Sequence, residues 1–280
     1  MKVAVMTDST AYIPSDIRQK WDIHMVPLNV VIGNESYREE VDISSDDFYP
    51  MVKNAEDFPK TSQPSIGLIT EKLQQLSVTH DAVIAIHLSS GISGAYQASI
   101  TAGNMVDGID VFPFDSEISC YPQAFYVLEA AAMAQRGASP AQIVERLNEM
   151  KQSMRAYFMA DDLSHLQRGG RLNGAQALVG SMLQIKPVLH FVDKKIVPFE
   201  KIRTRKKALK RMVELFEEDA ETGKQIKAVV IHANRPTAAE EFKSELESRF
   251  DNIEVDLSYF GPVIGTHLGE GALGLGWYFN

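Results

Sequence analysis

Asp81-Ala82-Val83-Ile84-Ala85-Ile86-His87-Leu88, followed directly by Ser89-Ser90-Gly91-Ile92-Ser93-Gly94-Ala95-Tyr96-Gln97, is the stretch on which the reading of this chain turns. The first run is apolar over strand length, and the second opens a helix through glycines and serines. Glycine lets the backbone turn tightly and approach a ligand, serine offers hydroxyls, and the free N–H groups of a helix's first turn favour negative charge. Strand, glycine-serine loop and helix together form an expected anion cradle, although the same residues also suit an ordinary helix cap.

Further strand-like runs lie at 2–6, 25–31 and 109–114, with helical stretches between them. This alternation predicts crossover units and a largely parallel sheet. Pro14 with Ser15 starts one helix, Pro64-Ser65 leads into another over 66–76, and Gly137 separates a pair at 124–136 and 140–152. The second half opens with a strand at 154–160, followed by strands at 188–192, 196–199, 227–231 and 253–257. Residues 191–197 read as a hairpin, which a purely parallel domain does not need. The expected fold is therefore α/β with two domains. An N-terminal domain, 1–153, has a mostly parallel sheet flanked by helices and carries the binding loops. A C-terminal α/β domain, 154–280, has an antiparallel or mixed sheet and closes over the ligand. The run 261–278 carries six glycines, which suits close packing against another backbone or a ligand.

With 280 residues, 45% of them hydrophobic and 23% charged, the chain has ample material for a folded core. Its net charge of −9 disfavours nucleic acid and anionic membrane surfaces as partners. Cys120 is the single cysteine, so intramolecular disulfides and paired-cysteine metal knuckles are excluded. It reads as a small buried hydrophobe rather than a nucleophile. The opening apolar run turns polar at Thr7-Asp8, too soon for a signal-peptide core, and no run approaches membrane-spanning length. A cytoplasmic protein without stable membrane insertion is expected.

Four polar clusters fall where strands end or loops begin: Thr7-Asp8-Ser9-Thr10, Thr61-Ser62-Gln63-Pro64-Ser65, 89–94, and Thr266-His267. Ligands of open α/β sheets bind outside the carboxyl ends of strands, where such loops converge. The seven histidines form no HxH or HExxH pair and the acidic residues lack calcium-loop spacing, so no metal site is expected. The third glycine of a dinucleotide fingerprint and the Gly-Lys-Ser/Thr of a P-loop are both missing, so no cofactor is expected either. A serine hydrolase is the competing reading, because Gly91-Ile92-Ser93-Gly94-Ala95 departs from a nucleophile elbow only at Ala95, with Asp115 and His267 in the right chain order. Spacing weakens it: four residues separate the strand from Ser93, whereas an elbow serine sits directly at the turn.

These clusters, together with Leu163-Ser164-His165-Leu166-Gln167-Arg168-Gly169-Gly170-Arg171-Leu172, Lys186-Pro187 and Gly265-Thr266-His267-Leu268-Gly269-Glu270-Gly271, resemble the DegV family in order along nearly the whole chain. The family includes the fatty-acid-binding subunits of bacterial fatty acid kinase. The resemblance implies a long-chain fatty acid buried between two α/β domains and a separate ATP-dependent kinase subunit as partner, this chain itself being non-catalytic. It further implies that Thr61, Ser62, Ser93, Gly94, Thr266 and His267 surround the carboxylate. Asp8, Ser9 and Ser90 would support these loops, and Arg171 would contact the partner.

Hydroxyls and backbone N–H groups suit a carboxylate, which only accepts hydrogen bonds, and Asp8 beside it would be repelled. A tail of about 14 methylenes at about 0.8 kcal/mol each contributes on the order of 11 kcal/mol before association costs. Hydrogen bonds to the head add roughly 1.5–3 kcal/mol each, largely offset by desolvation. The tail therefore supplies affinity and the head supplies register.

Overall fold

Residues 82–87 are buried along their whole length, and a sheet is built around them. The structure, a computed structural model, describes residues 1–53, 55, 57–173 and 185–280. The chain runs β1 (Val3–Asp8), α1 (Ser15–Trp21), β2 (Ile23–Val26), β3 (Asn29–Ile32), β4 (Glu35–Arg38), α2 (Ser45–Lys53), β5 (Lys60–Ser62), α3 (Ile66–Ser77), β6 (Ala82–His87), α4 (Ala95–Gly103), β7 (Asp110–Asp115), α5 (Tyr121–Gln135) and α6 (Pro140–Ser153). It continues with β8 (Arg155–Met159), α7 (Ser164–Arg168), β9 (Val188–Val192), β10 (Lys195–Glu200), α8 (Arg205–Ala220), β11 (Ile226–His232), α9 (Pro236–Arg249), β12 (Ile253–Tyr259), α10 (Pro262–Leu268) and β13 (Leu273–Phe279).

The fold is a two-domain α/β fold. In the first domain four strands, ordered β2-β1-β6-β7, are all parallel. Alternate residues explain why the strands are apolar throughout. Ala4, Met6, Val83 and Ala85 pack on Ile69 and Leu73 of α3 and Ala98 of α4, whereas Val5, Ile84 and Ile86 face the α5 side. A sheet covered on both faces has no polar side to show. In the second domain the order is β10-β9-β8-β13-β11-β12; β11 and β12 are parallel and the other pairs antiparallel, so the sheet is mixed. Met159, Leu273, Leu275 and Trp277 pack on Met212 and Phe216 of α8, and the opposite face looks toward the first domain. The hairpin β9–β10 turns through Asp193 (φ 46°) and Lys194 (φ 70°), two consecutive left-handed residues of the kind that match strand twist.

One expectation is corrected. The strand at 25–31 is two strands: β2 in the parallel sheet and β3 in a small antiparallel sheet, β4-β3-β5. Pro27 has no N–H for a ladder, and the Leu28 N–H donates instead to the Ser9 hydroxyl at 3.0 Å, so the run breaks there. In the glycine-rich run 261–278, Gly274 packs closely against Phe260 and Gly276 against Pro122. The run forms α10 and then β13, which sits in the middle of the mixed sheet. Although α10 follows a strand of the second sheet, it packs on α2, β3 and β5 of the first half as well as on α7. Tyr49 donates to the Phe260 carbonyl (2.7 Å), and the Val263 N–H donates to buried Glu39 (2.7 Å), fastening the start of α10 to the N-terminal half.

Candidate functional site

Between the two sheets lies a narrow cavity. Its body is walled by Phe158, Phe191, Ile231, Phe260, Ile264 and Leu275, while hydroxyl, amide, imidazole and guanidinium groups gather at one end. That polar end is assembled from four places in the sequence. Thr61 comes from β5, held by pairing Val30 with Thr61 across β3. Ser93 and Gly94 come from the turn into α4, His267 from the last turn of α10, and Arg171 from the segment after α7.

Thr61 Oγ1 and His267 Nε2 are 2.8 Å apart. Burial foremost, then the neighbouring Arg171 and His165, pushes the His267 pKa down to about 4, so the imidazole is neutral at neutral pH. Its Nδ1 is buried without a partner among the described residues. Gly169 packs against that nitrogen, and a Cβ there would collide with the ring. Orphaned buried N–H groups are rarer than orphaned acceptors, so the favoured tautomer carries its proton on Nε2. His267 then donates to Thr61, and the Thr61 hydroxyl proton is left free to donate into the cavity.

Ser93 sits one turn beyond β6, its N–H given to the Ser89 carbonyl (3.1 Å) and its Oγ accepting from Ala95 N–H (3.3 Å). Among the described residues Ser93 has no hydrogen bond to an imidazole. His267 is engaged by Thr61, and Asp115 by Ser90 and Lys194 (3.0 Å), so the Ser93, Asp115, His267 arrangement of a hydrolase is not assembled. Gly94 has φ −87°, which any residue adopts; the Gln63 amide occupies the place of a Cβ, so a larger residue there would push the end of that side chain aside. The loops at 61–65 and 89–94 thereby touch.

The other expected residues divide. Ser62 lines the rim and accepts from Asn29 (3.3 Å). Arg171 reaches the cavity with its guanidinium donating to the carbonyls of Ile92 (3.2 Å) and Gly169 (2.5 Å). Thr266 does not line the cavity; its hydroxyl donates to the Pro262 carbonyl (2.9 Å) and it borders a separate hollow beside Phe48 and Tyr49. Asp8 lies fully buried behind the strand ends, accepting from Leu88 N–H (2.8 Å) and the Thr10 hydroxyl (2.6 Å), with His87 Nδ1 at 3.1 Å. Burial acts to raise its pKa, but His87, Thr10 and Leu88 outweigh it and hold the carboxyl below its usual value. Ser9 donates to Glu39 (2.6 Å), away from the cavity.

The first half of the presumed cradle does something else. Ser89 donates to the Lys194 carbonyl (2.6 Å), Ser90 donates to Asp115 (2.5 Å), and Gly91 leaves room for the Lys194 carbonyl where a Cβ would stand. These residues dock the β9–β10 hairpin onto the first domain, so of this loop Ile92, Ser93 and Gly94 line the cavity, the last two supplying its polar groups. Sequence reasoning missed Gln63, Glu39 and Cys120, which lines the cavity and whose thiol pKa is raised mainly by burial. Gly274 and Gly276, from the glycine-rich run, line the cavity, and their absent side chains make space beside Phe260 and Pro122. The phrase Thr-Ser-Gln-Pro-Ser carries a signal for Gln63; nothing in an ordinary apolar pattern marks the walls.

The family profile described as "Uncharacterised protein, DegV family" matches residues 2–280. Protein DegV of Bacillus subtilis is 56% identical over 281 residues, spanning 100% of both chains. A crystal structure of DegV from Bacillus subtilis, described as a fatty acid binding protein, superposes with a TM-score of 0.95 at 55% identity over 100% of both chains. A fatty acid binding DegV family protein from Streptococcus agalactiae gives 0.90 at 32% identity, covering 100% of this chain and 99% of the other. A stearic acid-binding protein from Eubacterium ventriosum gives 0.85 at 25% identity, covering 99% and 98%.

Proposed function

The chain belongs to the DegV family, and on that premise we propose that it binds one long-chain fatty acid in the inter-sheet cavity and presents the carboxylate to a separate ATP-dependent fatty acid kinase, which forms the acyl phosphate. The observation that carries this reading is the cavity between the sheets, with an apolar body and a neutral Thr61–His267 pair, Ser93 and Gly94 at one end. Thr61 and Ser93 hydroxyls hold the carboxylate, Ser62 borders it, and His267 orients Thr61 without competing for a proton. Asp8, Ser9 and Ser90 act at a distance, by fixing the strand end, the Leu28 backbone and the hairpin dock. Arg171 lies at the polar end, where the kinase would meet its guanidinium. Residues 1–153 supply the head end and residues 154–280 most of the tail wall, with α10 crossing back to deliver His267. The protein acts in the cytoplasm and catalyses nothing alone, since phosphoryl transfer needs a phosphate cradle and the sequence carries neither a P-loop nor a dinucleotide fingerprint.

The test is reconstitution: delipidated protein, a long-chain fatty acid, ATP and a fatty acid kinase are mixed, and acyl phosphate is trapped with hydroxylamine. Product is expected only when both proteins are present. ATP-dependent product from this chain alone would overturn the reading.

A further inference from the structure

At the other end of the parallel sheet, where β2 and β6 begin, Asp22 and His24 from one turn converge with His80 from a loop distant in sequence. His24 Nε2 lies 3.5 Å from one carboxylate oxygen of Asp22, and His80 Nε2 lies 3.9 Å from the other. One ligand atom from each of the three residues falls within 4.8 Å of the others. His24 Nε2 is buried and hydrogen-bonded to nothing among the described residues. His80 is 8% exposed, and its Nδ1 is engaged by the Thr79 hydroxyl at 2.9 Å, which leaves Nε2 as the free nitrogen. We propose that Asp22, His24 and His80 form a zinc site that ties the α1–β2 turn to the α3–β6 loop.

Two imidazoles and a carboxylate are a zinc donor set, with water completing a tetrahedron. Donors at about 2.0–2.2 Å from zinc stand about 3.3–3.5 Å apart, so the observed spacings need only a small closure. Asp22 can provide it: its side chain is mostly exposed, and its backbone sits at φ 52° at the end of α1, bending the chain so that the carboxylate faces both rings. Thr79 on the far nitrogen of His80 is the outer partner that fixes a ligating imidazole. The expectation of a metal-free chain rested on spacing in sequence. Here the fold supplies the proximity, by placing β2 and β6 on either side of β1.

Untagged protein stripped with a chelator is dialysed against micromolar Zn²⁺, and Co²⁺ is used as a visible probe. One zinc per chain, a Co²⁺ absorption band and a zinc-dependent rise in thermal midpoint are expected. Asp22→Asn, which keeps the left-handed backbone accessible, and His24→Ala weaken binding by about tenfold or more, and His232→Ala leaves it unchanged. Absence of saturable zinc binding in the wild type, or binding that survives both Asp22→Asn and His24→Ala in folded protein, would overturn the proposal.

Discussion

The two sheets meet the cavity in different ways. The parallel sheet ends at it, so its loops deliver Ser93 and Gly94 from a strand end and fix them through buried polar bonds from Asp8 to Leu88 and Thr10. The mixed sheet lies along it and offers a face, on which Phe158, Gly274 and Gly276 alternate with residues packed on α8. One region works by a few directed hydrogen bonds, the other by area. The lesson is a division of labour: losses at the head should be bounded by the worth of one or two charge-assisted bonds, whereas losses along the tail should grow with every methylene.

The largest effect is therefore expected from the ligand. Shortening a fatty acid by four methylenes should cost about 3 kcal/mol, or about 200-fold in Kd, in a titration of delipidated protein. A flat dependence on chain length would place the affinity in the head. Next comes pH. The folded pKa of His267 is about 4, below the unfolded value near 6.5, so between those values the unfolded chain takes up a proton that the folded one refuses. Stability from this group is present at neutral pH and lost as pH falls, by on the order of 3 kcal/mol over the window. Chemical denaturation across pH should show that acid slope, and His267→Gln should remove it.

Glu39 has the opposite sign. Burial above all raises its pKa to about 8, so its contribution is full at low pH and is lost as pH rises through that value. Glu39→Gln should flatten the fall in stability that this group causes between about pH 4.5 and pH 8. The smallest change belongs to single head groups. Ser93→Ala or Thr61→Val should each weaken fatty acid binding by about 1.5–3 kcal/mol. Thr61→Val combined with His267→Gln should cost less than the sum of the two, because the pair is one network.

Legibility in the sequence follows the same division. The stretch from Asp81 to Gln97 was readable because a strand end must be punctuated, and glycine, serine and proline are the punctuation. The walls were not, since Phe158 or Ile231 facing a cavity looks the same as Phe216 facing a helix. β13 was hidden because Gly274 and Gly276, turn residues by composition, sit in a strand for lack of room beside Phe260 and Pro122. Thr266 and His267 read as one cluster, yet neighbours on a helix point about 100° apart, and only His267 faces the cavity. Gly91 and Gly94 read as one loop with one purpose; the first admits the Lys194 carbonyl and the second the Gln63 amide. Both are set by long-range contacts, which local pattern does not encode.

Native mass spectrometry of gently purified wild-type protein and its Ser93→Ala variant tests the central claim most directly. One fatty acid per chain in the wild type, and weaker retention of the same ligand by the variant, is the predicted result. A wild-type chain that carries no fatty acid and takes up none when loaded would contradict it.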